Sequence, residues 1–291
     1  MNRSCRSRSF EMDNQSRQHR LPHSLPDELD ASQALNGLFA MGINHAAIRL
    51  IPAALWLAII WTAETYVSRP QNNRVRHGIA NLSLAAVNGV LLFFSVGLLG
   101  VYVCGRFNHN WYGIASPFVA FFGLDLFGYL WHRANHRFPI LWRFHEVHHS
   151  DDAMDVTTSG RFHFVELGLG AIIRLPVLYV LGVNANMLLV YETALVAVSM
   201  LHHSTIDLGK YDPILRAIIV TPAMHSMHHS RDPIDFGRNF SSVLSIWDRT
   251  FGTFGTSSET ISHGLKGFDD PRTHCIRSML AAPFRKRDNI G

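Results

Sequence analysis

The chain has 291 residues, of which 47% are apolar, 11% aromatic and only 16% charged. Soluble proteins carry about 25% charged residues, so much of this chain does not face water. A net charge of +4 is too small and too scattered to predict a nucleic-acid partner. Three cysteines without a CxxC spacing indicate neither a disulfide framework nor a thiolate metal site.

The first 40 residues are polar and rich in Arg, Ser, Gln and Asn. They lack the short apolar core and the cleavage site of a signal peptide, and we predict a disordered tail. The first apolar run covers residues 50–63. It is bounded by Arg49 and Glu64, whose aliphatic stems can lengthen the effective span.

Three further apolar regions follow. Residues 78–105 contain no charge over more than the roughly 20 positions that cross a bilayer, which predicts a membrane span. Residues 111–131 contain one charge, Asp125. Residues 167–201 contain only Arg174 and Glu192, and a turn signal at 182–186 predicts a hairpin whose two arms enter and leave on one side.

The arginines indicate the orientation of these segments. The loops on one side hold most of them, whereas the opposite loops hold only Arg106. Arginine-rich loops lie in the cytoplasm, and the five arginines of residues 1–40 favour the same side, in conflict with a fully spanning first helix. The loop arginines are Arg69, Arg74, Arg76, Arg133, Arg137, Arg143 and Arg161.

These patterns predict an all-α, multi-pass membrane protein with about four to five membrane helices or hairpin arms. A helical cap on the cytoplasmic side carries the histidine clusters. The predicted organisation is a polar tail at 1–40, a membrane-embedded domain at 41–260 and a C-terminal tail at 261–291. The predicted location is the cell inner membrane or the endoplasmic reticulum, with the lipid bilayer itself as a partner.

Histidine is the unusual residue, with 18 copies. On a helix, residues at i, i+3 and i+4 share one face, so each HxxHH box and the HxxxH pair are predicted to aim their imidazoles at a common point. That geometry suits a metal ion. The boxes read WHRANH, FHEVHHS and MHSMHHS, and they contain His132, His136, His145, His148, His149, His225, His228 and His229.

Eight histidines, with one more from the adjacent pair His202 and His203, exceed the three or four ligands of a single zinc ion, so two metal ions are predicted. Imidazole suits zinc, copper, iron and nickel alike, and the ligand type does not choose among them. His163 is either a further ligand or a hydrogen-bond partner of one.

Two carboxylates lie near these boxes. Asp125 precedes His132 by seven residues on one helical stripe, where it can accept a hydrogen bond from a ligand imidazole or pair two helices. Glu166 follows His163 by three residues, and it either orients that ring or marks the membrane boundary.

Two other classes of protein fit parts of the pattern. HEVHH contains the HExxH motif of zinc proteases, formed by His145, Glu146 and His149. The second box has serine in place of the glutamate, and a zinc protease leaves the other clustered histidines unexplained. A metal-handling membrane protein would distribute its polar ligands across the spans, whereas these boxes follow the ends of the spans.

The chain resembles the fatty acid hydroxylase superfamily, also called the sterol desaturase family, from about residue 81 to residue 254. The departures are Ser241 and Phe164, where the family commonly has glycine and proline. The resemblance rests on DLFGYLWHRANH (125–136), LWRFHEVHHSDDAMDVTTSGRFH (141–163), HHSTIDLG (202–209), VTPAMHSMHHS (220–230) and NFSSVLSIWDRTFGTF (239–254).

The resemblance implies a membrane diiron oxygenase that uses O2 to hydroxylate or desaturate an unactivated C–H of a lipid, such as a fatty acyl chain or a sterol. Its histidine boxes would bind two ferrous ions, which zinc can replace on purification. The family pattern selects His203 rather than His202 as the ninth ligand. Two electrons per turnover imply a separate donor, a reductase, ferredoxin or cytochrome-type protein, that docks on the arginine-rich face.

Overall fold

The computed structural model describes residues 31–67, 73–93, 98–106, 116–256 and 261–285. Within these ranges the secondary structure is helical, apart from two isolated β-bridges, Ile219–Leu244 and Ser230–His263. The α-helices are α1 (Ala31–Val67), α2 (Arg74–Leu92), α3 (Leu98–Arg106), α4 (Ser116–Arg137), α5 (Pro139–His149), α6 (Phe164–Val180), α7 (Ala185–His203), α8 (Asp212–Leu215), α9 (Pro222–His228), α10 (Pro233–Phe236), α11 (Ile246–Thr250) and α12 (Ile276–Ala281).

Among the described residues, two helices are long and apolar enough to cross a membrane: the Ala47–Val67 part of α1, and α7. Only 11% of the most apolar stretch of each is buried, so both expose apolar side chains such as Leu55 and Val190. A continuous exposed apolar surface is typical of contact with lipid. The described part of the chain is therefore all-helical with two candidate membrane-spanning helices, and the number of crossings stays a prediction.

The helices α1 and α7 run parallel. The indole Nε1 of Trp56 donates to the carbonyl of Ala197 at 3.0 Å, and further along both helices Glu64 accepts the backbone N–H of Thr205 at 2.8 Å. Their C-terminal ends therefore lie on the same side of the molecule. The helix α4 brings its own C-terminal histidines to this side as well, because His132 contacts the histidines of α9.

The predicted hairpin at residues 167–201 is confirmed as α6 and α7. The imidazole Nδ1 of His163 accepts the N–H of Val165 and starts α6. Gly182 takes a positive φ of 60° in the turn, a backbone conformation that glycine adopts without steric cost. The side chain of Asn184 then caps α7 by accepting the N–H of Met187. Both outer ends of the hairpin thus return to the histidine side.

The run at residues 78–105, predicted as one membrane span, contains two helices, and its crossing of the membrane stays a prediction. The run is divided between α2, which begins at Arg74, and the nine-residue α3. Buried Cys104 of α3 packs near the α6–α7 turn, against Leu178 and Val183. A run without charges reveals that a segment avoids water, but it contains no signal for where one helix ends and another begins.

The predicted tails differ from the structure at both ends. Residues 31–40, predicted as part of the N-terminal tail, belong to α1, whereas residues 1–30 lie outside the described residues. At the other end, residues 261–285 of the predicted C-terminal tail are folded onto the domain. Buried Met279 and Ala282 form a core cluster with Leu84 of α2 and Val147 of α5. This cluster supports α5 from the side opposite to its neighbour α4.

Candidate metal centre

The structure gathers all nine histidines predicted as metal ligands into two groups. Within each group one ring nitrogen per residue lies within 4.8 Å of every other. All four members of the second group are buried, whereas His132 and His136 of the first are partly exposed. The five-histidine group is His132, His136, His145, His149 and His228, and the four-histidine group is His148, His203, His225 and His229.

The two HxxHH boxes each serve both groups, which corrects the prediction that each box aims at one point. In the first box His145 and His149 join the five-histidine group, and His148 joins the other. In the second box His225 and His229 join the four-histidine group, and His228 joins the five-histidine group. Residues at i and i+4 lie about 40° apart around a helix, whereas consecutive residues lie about 100° apart. The second histidine of each box, at i+3, therefore diverges from the third, at i+4.

In the five-histidine group, backbone carbonyls fix the tautomers of His132 and His228. The Nδ1–H of His132 donates to the carbonyl of Phe240 at 2.8 Å, and that of His228 donates to the carbonyl of Arg238 at 2.7 Å. A neutral imidazole with its proton on Nδ1 has a bare lone pair on Nε2. The two Nε2 atoms nevertheless face each other at 2.9 Å. Two lone pairs at this distance repel unless a cation lies between them.

The four-histidine group repeats this arrangement. The Nδ1–H of His203 donates to the carbonyl of Ser199 at 2.7 Å, and that of His148 donates to the carbonyl of Arg161 at 3.2 Å. Their Nε2 atoms face each other at 3.2 Å. The Nε2 atom of His225 lies 2.9 Å from that of His203, and the Nε2 atom of His229 lies 3.1 Å from those of both His148 and His225.

These residues fit a metal ion in both spacing and charge. Imidazole nitrogens bound at about 2.0–2.1 Å to one ion lie about 2.9–3.4 Å apart, as the Nε2 atoms do here. Burial, and then repulsion from neighbouring imidazoles, lowers the pKa of His148, His149, His225 and His229 well below the ordinary value. Burial likewise lowers the pKa of His228 to about 3. The rings are neutral and therefore able to bind a metal at neutral pH.

The carboxylate of Glu166 orients a ring of the five-histidine group. Its Oε1 atom accepts the Nδ1–H of His145 at 2.8 Å and an amide N–H of Asn135 at 3.2 Å. The spacing in the sequence offers His163, three residues away, as the partner of Glu166. The hydrogen bond goes instead to a ring 21 residues earlier, because α6 packs against α5 at this level.

Two of the predicted histidines lie outside both groups. His163 caps α6, and its Nε2–H donates to the carbonyl of Leu280 at 3.3 Å. His202 is buried with its ring centre 3.9 Å from that of His225, but it does not join the four nitrogens that converge. The structure thus brings His203, rather than His202, to the candidate site.

Asp125 has a different role from the hydrogen bond to a ligand imidazole that was considered. Its Oδ2 atom accepts the backbone N–H of Leu244 at 3.0 Å and the indole N–H of Trp247 at 2.8 Å. The carboxylate therefore fastens residues 244–247 to α4. This segment leads from Phe240, whose carbonyl holds His132.

A buried polar network that no sequence motif predicts lies behind the first HxxHH box. Arg161 is completely buried, and its guanidinium donates to the carbonyl of Val147, to Asn81 Oδ1 and to Ser150 Oγ at 2.8–3.0 Å. Asp151 accepts hydrogen bonds from Asn81, Thr158 and His77. The spacing of these residues is irregular, so the sequence contains no signal for this network beyond the charges themselves.

The loop after α10 was missed as well. Asn239 adopts a positive φ of 56°, and its side chain bonds to Met224 and Gly255. Asp248 accepts the N–H groups of Phe240 and Ser241. Together they position the carbonyls that hold His132 and His228. Every residue has a carbonyl, so such acceptors cannot be recognised from residue types.

Aromatic side chains cover the exposed side of the five-histidine group. The ring centres of Trp142 and Phe236 lie 5.2 Å and 4.6 Å from that of His136. They lie at 5.4 Å and 5.3 Å from that of His149. Both aromatic residues are themselves half-buried. The five-histidine group is therefore bordered by an apolar surface on its exposed side.

Comparison with known proteins agrees with this geometry. The sequence profile of the fatty acid hydroxylase family matches residues 117–253, which include all nine histidines. Residues 117–253 therefore form a fatty acid hydroxylase domain. The predicted resemblance is thereby confirmed, and within this superfamily the two groups are the candidate metal centre of the domain.

Several curated proteins resemble this fatty acid hydroxylase domain. An alkylglycerol monooxygenase from Danio rerio is 32% identical over 57% of the chain and 37% of its own length. An ornithine lipid hydroxylase, OlsE, from Rhizobium tropici is 32% identical over 58% of the chain and 49% of its own length. A very-long-chain aldehyde decarbonylase from Oryza sativa subsp. indica is 24% identical over 78% of the chain and 40% of its own length.

The matches thus span less than half the length of these relatives. No solved structure matches the chain at a comparable level of significance.

Proposed function

We propose that this protein is a membrane-bound oxygenase that hydroxylates or desaturates an unactivated C–H of a lipid, with one iron in each histidine group. The family match and two relatives named as a lipid hydroxylase and a monooxygenase support the class of reaction. The exposed apolar faces of α1 and α7 support a substrate that is delivered from the bilayer.

The observation that carries the proposal is that unprotonated Nε2 atoms of two histidines face each other. Such pairs occur in both groups, at 2.9 Å between His132 and His228 and at 3.2 Å between His148 and His203. This favours two cations rather than one. Imidazole alone does not select iron, and the family supplies that choice. When bound, a pair of ferrous ions supplies the reaction with O2 that C–H cleavage requires.

The protein's own residues hold, orient and shield this centre. Carbonyl and carboxylate acceptors keep Nδ1 protonated in five of the nine histidines, so that their Nε2 atoms remain available to a metal. Trp142 and Phe236 offer an apolar path beside His136, on the side where the five-histidine group is partly exposed. We assign the reacting carbon of the lipid to this side.

Electrons come from a separate donor in this proposal. Arg133 and Arg137 are exposed at the end of α4, next to the five-histidine group. An acidic reductase, ferredoxin or cytochrome-type protein would find complementary charge there. We further propose that this face lies in the cytoplasm, as the distribution of arginines between the loops predicts.

Metal content and oxygen uptake test the proposal together. Protein purified in detergent from iron-supplemented cells should contain about two irons per chain, as expected for two separate sites. Lipid should stimulate its dithionite-dependent O2 uptake. His148→Ala and His228→Ala, one in each group, should each lower bound iron and eliminate product, whereas His19→Ala, outside the boxes, should do neither.

A single tightly bound zinc without oxygen uptake would replace the oxygenase with a hydrolase. Glu146→Gln separates the two mechanisms, because a zinc protease needs this glutamate as its general base. The variant should retain its iron and its oxygen uptake. Wild-type iron content in both His148→Ala and His228→Ala would contradict the assignment of one ion to each group.

A further inference from the structure

A second apolar surface lies outside α1 and α7, on two segments of the histidine side. We name residues 211–218 and 246–251 the apolar hairpin. Two contacts join these segments: Ser245 N–H donates to the carbonyl of Ile218, and Ile219 forms a β-bridge with Leu244. Large apolar side chains with exposed fractions of 41–66% cover it: Tyr211, Ile214, Ile218, Ile246 and Phe251.

The contacts with α4 give the level of this surface. Phe251 stacks on Tyr129 at 5.1 Å, Trp247 bonds to Asp125, and Trp247 also packs edge-on against Phe122 at 6.5 Å. These α4 residues precede His132 by three, seven and ten positions. At 1.5 Å per residue, the apolar hairpin therefore extends about 4–15 Å from His132 away from the histidine groups.

That direction is the one in which the neighbouring helices enter the bilayer. The apolar hairpin also joins the exposed apolar face of α4 directly, since Phe122 is itself 45% exposed. Its basic groups, Lys210 and Arg249, lie next to Tyr211 and Phe254 with their charges over the rings. Apolar side chains flanked by basic groups with long stems are typical of segments buried about 5–10 Å into a lipid interface.

We infer that the apolar hairpin inserts into the leaflet next to the histidine groups, and that its occupant is the headgroup and upper acyl region of an anionic bilayer. The inference rests on the proposed membrane embedding of α1 and α7. It adds a monotopic contact to the crossing helices. This contact would hold the metal centre at a fixed depth relative to the lipids.

The depth of attached probes tests this contact in the full chain. Nitroxide labels are placed singly at 214 and 218 through Ile214→Cys and Ile218→Cys, with Cys5 and Cys275 replaced by serine. The protein is reconstituted in nanodiscs of phosphatidylcholine and phosphatidylglycerol, and collision rates with O2 and with a water-soluble nickel chelate are compared. Labels at Leu55 and Arg272 provide the matched lipid and water controls, since Leu55 is 62% exposed on α1 and the Arg272 side chain is 91% exposed.

Labels at 214 and 218 should give a ratio of oxygen to nickel collisions similar to that at 55 and severalfold above that at 272. A water-like ratio at 214 and 218, with a lipid-like ratio at 55, would overturn the inference and leave the membrane embedding intact. A water-like ratio at 55 as well would overturn both. Protection from both reagents, with spin–spin broadening, would assign the surface to a second copy of the chain and also overturn the inference.

Discussion

Single hydrogen bonds decide which nitrogen faces the centre in five of the nine histidines. His132, His148, His203 and His228 each donate Nδ1–H to a carbonyl, and His145 donates to a carboxylate. Such partners hold the ring in one orientation and raise its basicity toward a metal. The carboxylate is the one acceptor of this set that a substitution can remove without changing the backbone.

We therefore expect Glu166→Ala to weaken metal binding. His145 loses the acceptor of its Nδ1–H, so the ring becomes free to rotate and to change tautomer. The loss of such a partner typically lowers metal affinity roughly 10–100-fold. Iron loss to a chelator, followed over time, measures the effect. Glu192→Gln, a carboxylate paired with Arg174 rather than with a histidine, is the control, and equal iron loss from both variants would contradict the role of Glu166.

Asp125 permits an opposite prediction. One oxygen accepts both N–H groups and the other, Oδ1, has no hydrogen-bond partner, so an asparagine can present its carbonyl to the same donors. Asp125→Asn should keep the stability, whereas Asp125→Ala leaves two buried donors unpaired and should cost about 1–3 kcal/mol. Thermal unfolding in detergent compares them. Equal melting temperatures for the two variants would show that the bonds do not hold residues 244–247.

At the scale of helices, the sequence predicts which residues form the centre but not how they divide. The spacing of His132 and His136 on α4 correctly places both in one group, since residues at i and i+4 share a helix face. The division of each HxxHH box depends on the rotation of α5 and α9 about their axes. Packing against α4 and α7 sets that rotation, and a local spacing contains no information about it.

The network joining α2 to the loop after α5 gives a prediction with a defined pH dependence. Although burial opposes its charge, hydrogen bonds and ion pairs with Asp151 and Asp155 raise the pKa of His77 to about 10. A raised folded-state pKa stabilises the protein fully below the unfolded value of 6.5. This stabilisation is lost as the pH rises toward 10.

His77→Gln should accordingly lower the melting temperature at pH 6, by roughly 2–4 °C for each kcal/mol lost in a domain of this size. The difference from the wild type should shrink above pH 6.5 and vanish near pH 10. Thermal unfolding across this range in one detergent measures it. A difference that is constant over the whole range would mean that His77 acts through packing rather than charge.

At the scale of the whole molecule, the sequence predicted the helical class, the hairpin of α6 and α7 and the gathering of the histidine boxes. Apolar runs indicate segments that avoid water, and two helices of the required length agree with the predicted membrane part. The folded position of residues 261–285 could not be predicted, because Met279 and Ala282 are too few and too far from other apolar runs to indicate a core.

The exposed thiol of Cys275 tests the predicted orientation. Hydrogen bonding from Ser278 lowers the pKa of Cys275, which increases the reactive thiolate near neutral pH. In a Cys5→Ser background, a membrane-impermeant maleimide should label inside-out vesicles strongly and right-side-out vesicles only after detergent is added. Cys104 is buried and should remain unlabelled in both. Strong labelling of intact right-side-out vesicles would place the histidine side outside the cytoplasm.

The division of each HxxHH box between the two groups has a consequence for metal loading. Occupying the four-histidine group fixes His148 and His225, and through α5 and α9 it also fixes the rings that the five-histidine group needs. The entropy of ordering both helices is therefore lost once, at the first binding event, and the second ion binds to a prepared site. Titration of the iron-free protein would then give a sigmoidal isotherm, in which chains with a single ion remain rare.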